Sequence, residues 1–246
     1  MLRLILFYPL FLPLTFFFAL VVILVSFYDS TGRFANRISL FWGGLVCNLA
    51  GVTVHVDRGK FNPSGRFILM VNHQSWFDIP VLLASLKGHQ FRFVAKESLF
   101  RIPFFGQAMS RIGYIGINRS NPRRGMKSIH EAIEKSSHAS ILIFPEGTRH
   151  ENLGEFKIGG MILAIKSERP IVPVLIAGTS DVLPRNTLRI FPNHVVVKFF
   201  PAVKTKDSYT LTEREKLKQN MWTLMHEHFK ETRLWLNKIR RLPSHL

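Results

Sequence analysis

The chain of 246 residues has one cysteine, Cys47, and only 16 acidic residues against 33 lysines and arginines. A lone cysteine excludes an intrachain disulfide framework and any metal site built from several thiolates. The shortage of acid leaves a formal net charge of +17. Such an excess points to an anionic partner: nucleic acid, anionic lipid or a phosphorylated small molecule. Tyrosine and tryptophan are scarce, four of each beside 22 phenylalanines, which favours packing and lipid contact over a tyrosine-rich recognition surface. No internal repeat and no low-complexity segment interrupts the chain. Apolar residues, in contrast, make up 47%, which excludes a disordered basic protein, and the length suffices to bury a core.

The apolar excess is concentrated at the start. Leu4 to Phe27 is a run of 24 residues without a charge, longer than the roughly 20 needed to cross a bilayer core. It also exceeds the apolar core of a signal peptide, and Tyr28-Asp29-Ser30 follows it where small residues would mark a cleavage site. Pro9 and Pro13 are expected to break its first turns, leaving a clean helix from Leu14 onward. A second, moderately apolar stretch runs from Ile38 to Val54. One span and a two-helix hairpin dipping into one leaflet both fit. Arg33, Arg37, Arg58 and Lys60 lie beyond the run and only Arg3 before it, so the positive-inside rule puts the body of the protein on the cytoplasmic side. In a bacterium that is the inner membrane. Residues 1–55 therefore read as a membrane anchor and 56–246 as one domain.

Past Val54, short apolar runs alternate with helical stretches. Strands are expected at 66–71, 91–95, 114–117, 140–144, 171–176 and 193–200, and helices at 77–86, after Asn121-Pro122, and at 159–167. Thr210-Leu-Thr-Glu213 has the form of a capping box opening a charged helix to about Arg240. The alternation predicts an α/β fold with a mostly parallel central sheet flanked by helices, preceded by the apolar helical anchor.

Two polar clusters fall at strand ends. In Asn72-His73-Gln74-Ser75-Trp76-Phe77-Asp78, His73 and Asp78 stand five residues apart. On a straight helix they would diverge by about 140°, and on a strand they would face opposite sides. They meet only if the chain turns between them, as a strand followed by a helix requires. A carboxylate on one imidazole nitrogen leaves the other to accept a proton. Ser75 lacks a Gly-x-Ser-x-Gly elbow and reads as a helix cap rather than a nucleophile. The other cluster is Phe144-Pro145-Glu146-Gly147-Thr148-Arg149, where a glycine turn and a forked guanidinium suit a phosphate. His226-Glu227-His228 is read as a solvated helix face, since neighbours two apart diverge by about 200°.

Together these motifs resemble those of the glycerolipid acyltransferases, most closely the 1-acylglycerol-3-phosphate acyltransferase family. Asn72-His73-x4-Asp78 matches its first motif, Gly113-Tyr-Ile-Gly-Ile-Asn118-Arg119 its second, Phe144–Arg149 its third and Ile171-Val172-Pro173-Val174 its fourth. Val94-Ala95-Lys96-Glu97 and Phe156-Lys157-Ile158-Gly159 are also similar to family segments. Asn118 stands where aspartate is frequent, and Gly116 where a bulky residue is common.

The resemblance implies that His73, oriented by Asp78, takes the proton of the free hydroxyl of lysophosphatidic acid. That hydroxyl then attacks an acyl thioester, giving phosphatidic acid with no acyl-enzyme. It implies that Arg149, Lys96 and Arg119 hold the phosphate, with Glu146, Gly147 and Thr148 completing the substrate-binding loop. An oxyanion site is expected among backbone N–H groups of the first motif. The partners implied are membrane lipids, lysophosphatidic acid, and acyl-CoA or acyl carrier protein as co-substrate. No cofactor and no metal is expected. The same chemistry on another lysophospholipid, a lyso-aminolipid or glycerol 3-phosphate is the neighbouring alternative. A membrane-tethered nucleic-acid-binding protein is the distant one. Its helix-turn-helix, RNA-binding and zinc-finger patterns are absent and the basic residues are dispersed.

Overall fold

A computed structural model describes residues 2–29, 31–61, 65–86, 88–117 and 122–241. Two helices come first, α1 (Leu2–Val25) and α2 (Arg33–Ala50). Pro9 and Pro13 do not break α1, which runs through both. Each proline removes one backbone hydrogen bond, but lateral packing holds the helix on either side of the gaps. Phe7 packs on Phe77, Phe11 on Trp42, and Trp42 Nε1–H donates to Thr15 Oγ1 at 3.2 Å. At the hairpin's other end the Asp29 carboxylate accepts from Phe34 N–H and Ala35 N–H, capping α2.

Seven strands follow: β1 (Thr53–Asp57), β2 (Ile68–Val71), β3 (Phe91–Lys96), β4 (Ile115–Ile117), β5 (Ser140–Ile143), β6 (Ile171–Ala177) and β7 (His194–Phe199). They form one sheet in the order β1-β7-β6-β2-β5-β3-β4. Every neighbouring pair is parallel except β6 with β7. The mostly parallel α/β architecture expected from the alternation is what the chain adopts. Strand β1 was not foreseen; it begins inside the apolar stretch read as running to Val54.

Period-two alternation assigns the strand side chains to two faces. Leu69, Val71, Leu142, Val172, Val174 and Ile176 join one core with α1, α2, α3 (Asp78–Ser85) and α4 (Phe105–Ile112). Ile68, Met70, Ile141, Ile143, Ile171 and Leu175 join another with α5 (Pro122–Lys135), α6 (Gly159–Ser167) and α8 (Arg214–Arg241). The predicted capping box is formed, with Thr210 N–H donating to Glu213 Oε2. On the first face α2 and α3 approach so closely that a Cβ at Gly43 would fall 2.4 Å from Leu83 Cβ. Only glycine fits there.

Candidate active site

The polar clusters collect at the carboxyl ends of four adjacent parallel strands, β6, β2, β5 and β3, where open α/β sheets place their ligands. The loop after β2 is pinned first. Asn72 extends the sheet with its side chain, its Nδ2–H donating to Ile176 O at 3.0 Å and its Oδ1 accepting Ile176 N–H at 2.7 Å. The chain then turns, as the five-residue spacing demanded. Ser75 Oγ accepts Phe77 N–H at 3.2 Å while Asp78 Oδ2 accepts Ser75 N–H at 3.0 Å, so two side chains hold the turn into α3.

That turn brings His73 Nδ1 to 2.6 Å from Asp78 Oδ2. Asp78 is 0% exposed, and a buried charge needs partners. It has them: Gln74 N–H and Ser75 N–H on Oδ2, and the Thr179 hydroxyl on Oδ1. A carboxylate so placed can only accept, so the proton sits on His73 Nδ1 and the lone pair on Nε2. The imidazole stacks on Phe144 at 4.1 Å between centroids, which fixes its plane. Ser75 Oγ donates to Leu183 O at 2.8 Å, an occupied hydroxyl and not a nucleophile.

The loop after β5 turns at Pro145, with Gly147 N–H donating to Phe144 O and Gly147 at a φ of 72°. It wraps the first motif closely: His150 N–H donates to His73 O at 2.7 Å. Arg149 lays its guanidinium over the Trp76 ring at 4.7 Å. Partial burial, then the like charge of Arg185, hold the Arg149 pKa below the ordinary arginine range, with Asp78 opposing. A bound anion would offset both.

His73, Lys96, Gly147, Thr148 and Arg149 line one cavity of about 1080 Å³. Its other walls are mostly apolar, with Phe7, Phe11, Phe18 and Val22 of α1, Trp42 of α2, Leu83 of α3, and Phe105, Met109 and Ile112 of α4; Glu97 and Arg101 add charge beside Lys96. Glu146, grouped by its motif with the substrate-binding residues, corrects that expectation. It is 1% exposed and lies behind the wall, its Oε1 on His73 N–H at 2.8 Å and its Oε2 on Gly154 N–H at 2.9 Å. Burial pushes this carboxyl up to about 7; the two N–H donors oppose the shift and the Asp78 charge adds to it. In the first motif the N–H groups of His73, Gln74, Ser75, Phe77 and Asp78 are engaged within the protein. Asn118 and Arg119 lie outside the described residues. Thr179 and Arg185 escaped the sequence reading, and Trp76 and Phe144 stood in its motifs without a role, although Gly178-Thr179 directly after a buried strand was a cue to a fourth contributing loop.

A histidine held by a buried carboxylate, facing an apolar cavity whose rim is cationic, defines a site for base chemistry on an amphipathic anion. Residues 52–177 match the family model described as Acyltransferase, and the chain belongs to that family. It is 33% identical over 181 residues to a 1-acyl-sn-glycerol-3-phosphate acyltransferase of Limnanthes alba, covering 71% of this chain and 63% of the relative. With the enzyme of the same name from Escherichia coli (strain K12) it shares 33% over 165 residues, 65% of this chain and 66% of the relative. The chain thus spans just under two thirds of the length of these relatives. In fold it is similar to the crystal structure of the 1-acyl-sn-glycerophosphate (LPA) acyltransferase, PlsC, from Thermotoga maritima. The TM-score is 0.80 at 24% identity, over 99% of this chain and 97% of that one.

Proposed function

We propose that the protein is a 1-acylglycerol-3-phosphate O-acyltransferase, converting lysophosphatidic acid and an acyl thioester to phosphatidic acid. The observation that carries this reading is the opening of His73 and Arg149 onto the same apolar cavity. His73 Nε2 removes the proton of the acceptor hydroxyl as its oxygen attacks the thioester carbonyl. The new C–O bond forms, the C–S bond breaks, and the imidazolium returns its proton to the departing thiolate. Asp78 stabilises the imidazolium and keeps the tautomer. Base catalysis of this kind contributes typically about 10²–10⁴-fold. Arg149 and Lys96 hold the acceptor phosphate, and the acyl chains occupy the apolar walls. The donor is acyl-CoA or acyl carrier protein.

Residues 1–55 are the membrane-seated part of this reading, lying in one leaflet on the cytoplasmic face. Among the described residues α1 is the one helix long and apolar enough to cross a bilayer. What supports a one-leaflet placement is that α1 is tied to the domain along its length. Phe7 meets Phe77 near one end, Phe16 meets Phe104 at 4.8 Å, and Phe27 lies under the Arg111 guanidinium near the other. Upright insertion with the Phe27 end at the cytoplasmic surface would carry the part of the domain packed on Phe7, with Asp78 at the start of α3, into hydrocarbon. Its outward residues, including Leu10, Leu12, Phe17 and Leu24, are exposed and match an interfacial helix.

The test is lipid-product mass spectrometry on the full chain in vesicles, with a panel of acceptors each offered both donors. Phosphatidate is expected from lysophosphatidate, and His73→Ala is expected to abolish it without loss of folded protein. Retained turnover in that variant would sink the mechanism.

A further inference from the structure

The two loops of the site meet through one side chain. Glu146 accepts the backbone N–H of the residue that carries the base, and with its other oxygen the N–H of Gly154 at the far end of its own loop. Its carboxylate is wholly inside and makes no ion pair among the described residues. Charge without a cationic partner is an expensive way to accept two hydrogen bonds. A neutral side chain cannot do the same job, because an amide offers one acceptor oxygen and would turn its NH₂ toward an N–H. The loop that Glu146 closes also supplies Phe144 under the imidazole, His150 on the His73 carbonyl, and Arg149 on the cavity wall. Gly154 is in turn held by α8, since Trp222 Nε1–H donates to its carbonyl at 3.1 Å.

From this geometry we infer that Glu146 is a positioning residue, required in its ionised form, that fixes the distance between the His73 base and the Arg149 anion seat without touching the acceptor. The inference rests on the acyl-transfer reading above. Of the titratable groups, Asp78 on α3 acts on Glu146 by its charge and His73 on the β2 loop meets it through its N–H, while Arg149 and His150 follow it on its own loop. Protonating Glu146 turns one oxygen into a donor facing an N–H, so one tie is lost. On the acyl-transfer reading turnover therefore needs Glu146 ionised as well as the Nε2 lone pair of His73 free. The carboxyl titrates near neutrality because it is buried. Its folded-state value lies above its unfolded one, so the folded chain holds a proton that the unfolded chain has released. Stability from this group is then present at low pH and lost as pH rises through about 7.

The experiment measures kcat and KM for lysophosphatidate with acyl-CoA in vesicles from pH 5 to 9, for the wild type, Glu146→Gln and Glu146→Asp. For Glu146→Gln the expected result is a fall in kcat of at least 30-fold with KM within about twofold, and a smaller loss for Glu146→Asp, which keeps two acceptor oxygens. The acid limb of log kcat should have a slope of two in the wild type and one in Glu146→Gln. The fall in Tm between pH 5 and pH 8 should be smaller in Glu146→Gln than in the wild type. A KM that rises as much as kcat falls overturns the inference and makes Glu146 a substrate ligand. A wild-type acid limb of slope one also overturns it, and that reading stands even if both variants fail to fold. An active wild type failing these criteria defeats this inference alone, whereas a wild type that leaves lysophosphatidate untouched defeats the acyl-transfer reading and this inference with it.

Discussion

The two faces of the sheet are built from the same strands but differ in what covers them. On one face, four helices meet the sheet through aromatic side chains, among them Phe7 and Phe77 on the helix side and Phe91, Phe93 and Tyr114 on the sheet side. Rigid rings between helices and sheet surround a hollow, the cavity onto which His73 opens. On the other, Met70, Met161, Met221 and Met225 fill the gaps between the sheet, α6 and α8. Methionine is unbranched and adapts to irregular space, so such a core closes on itself. Their outer surfaces differ in the same sense. The covering of the first presents bare Leu, Phe and Tyr, whereas α8 presents lysine, arginine and glutamate to water. One face is hollow and apolar at its surface, the other closed and charged.

Substitutions should separate the two faces. The largest effect on stability is expected on the closed face. Leu217 is 0% exposed, and Leu217→Ala should cost about 2–5 kcal/mol in denaturant unfolding while leaving KM for the acceptor unchanged. On the open face the expectation reverses. Arg149→Ala removes charge-assisted hydrogen bonds of about 1.5–3 kcal/mol, which is about a 10- to 100-fold rise in KM for lysophosphatidate, with Tm unmoved. An acceptor lacking phosphate should show no such rise. Smallest is Thr179→Val, which takes one donor from Asp78 and leaves three. A loss of about 1 kcal/mol in kcat/KM, some fivefold, is expected from steady-state kinetics. If Leu217→Ala shifted KM as strongly as Arg149→Ala, the division of labour between the faces would be wrong.

Much of this was legible in the residues. The five-residue separation of His73 and Asp78 demanded a turn, and the turn is there because the Asp78 carboxylate accepts Ser75 N–H while Ser75 Oγ accepts Phe77 N–H. The helix-strand alternation gave the fold class because fully apolar runs such as Ile171–Ala177 fit only a strand covered on both sides. What escaped had physical reasons. Strand β1, Thr-Val-His-Val-Asp at a sheet edge, carries too little alternation to stand out from the apolar stretch before it. The reversed direction of β7 is written in no residue; it follows from the connection that returns from β6. Proline was read by its local cost in α1, and tertiary packing outweighed that cost. Glu146 was grouped with the substrate-binding loop by its motif, and only the burial of its carboxylate sets it apart from neighbours that line the cavity.

Strand β2 is the fourth of seven in the sheet, with three strands on either side. Opening it requires separating both halves, so the amide protons of Ile68–Val71 belong to the part of the molecule that exchanges with solvent last. His73 leaves the end of that strand. On the proposed reading the base is then the stationary member of the reaction, and it is the acceptor hydroxyl that must be brought to a fixed ring.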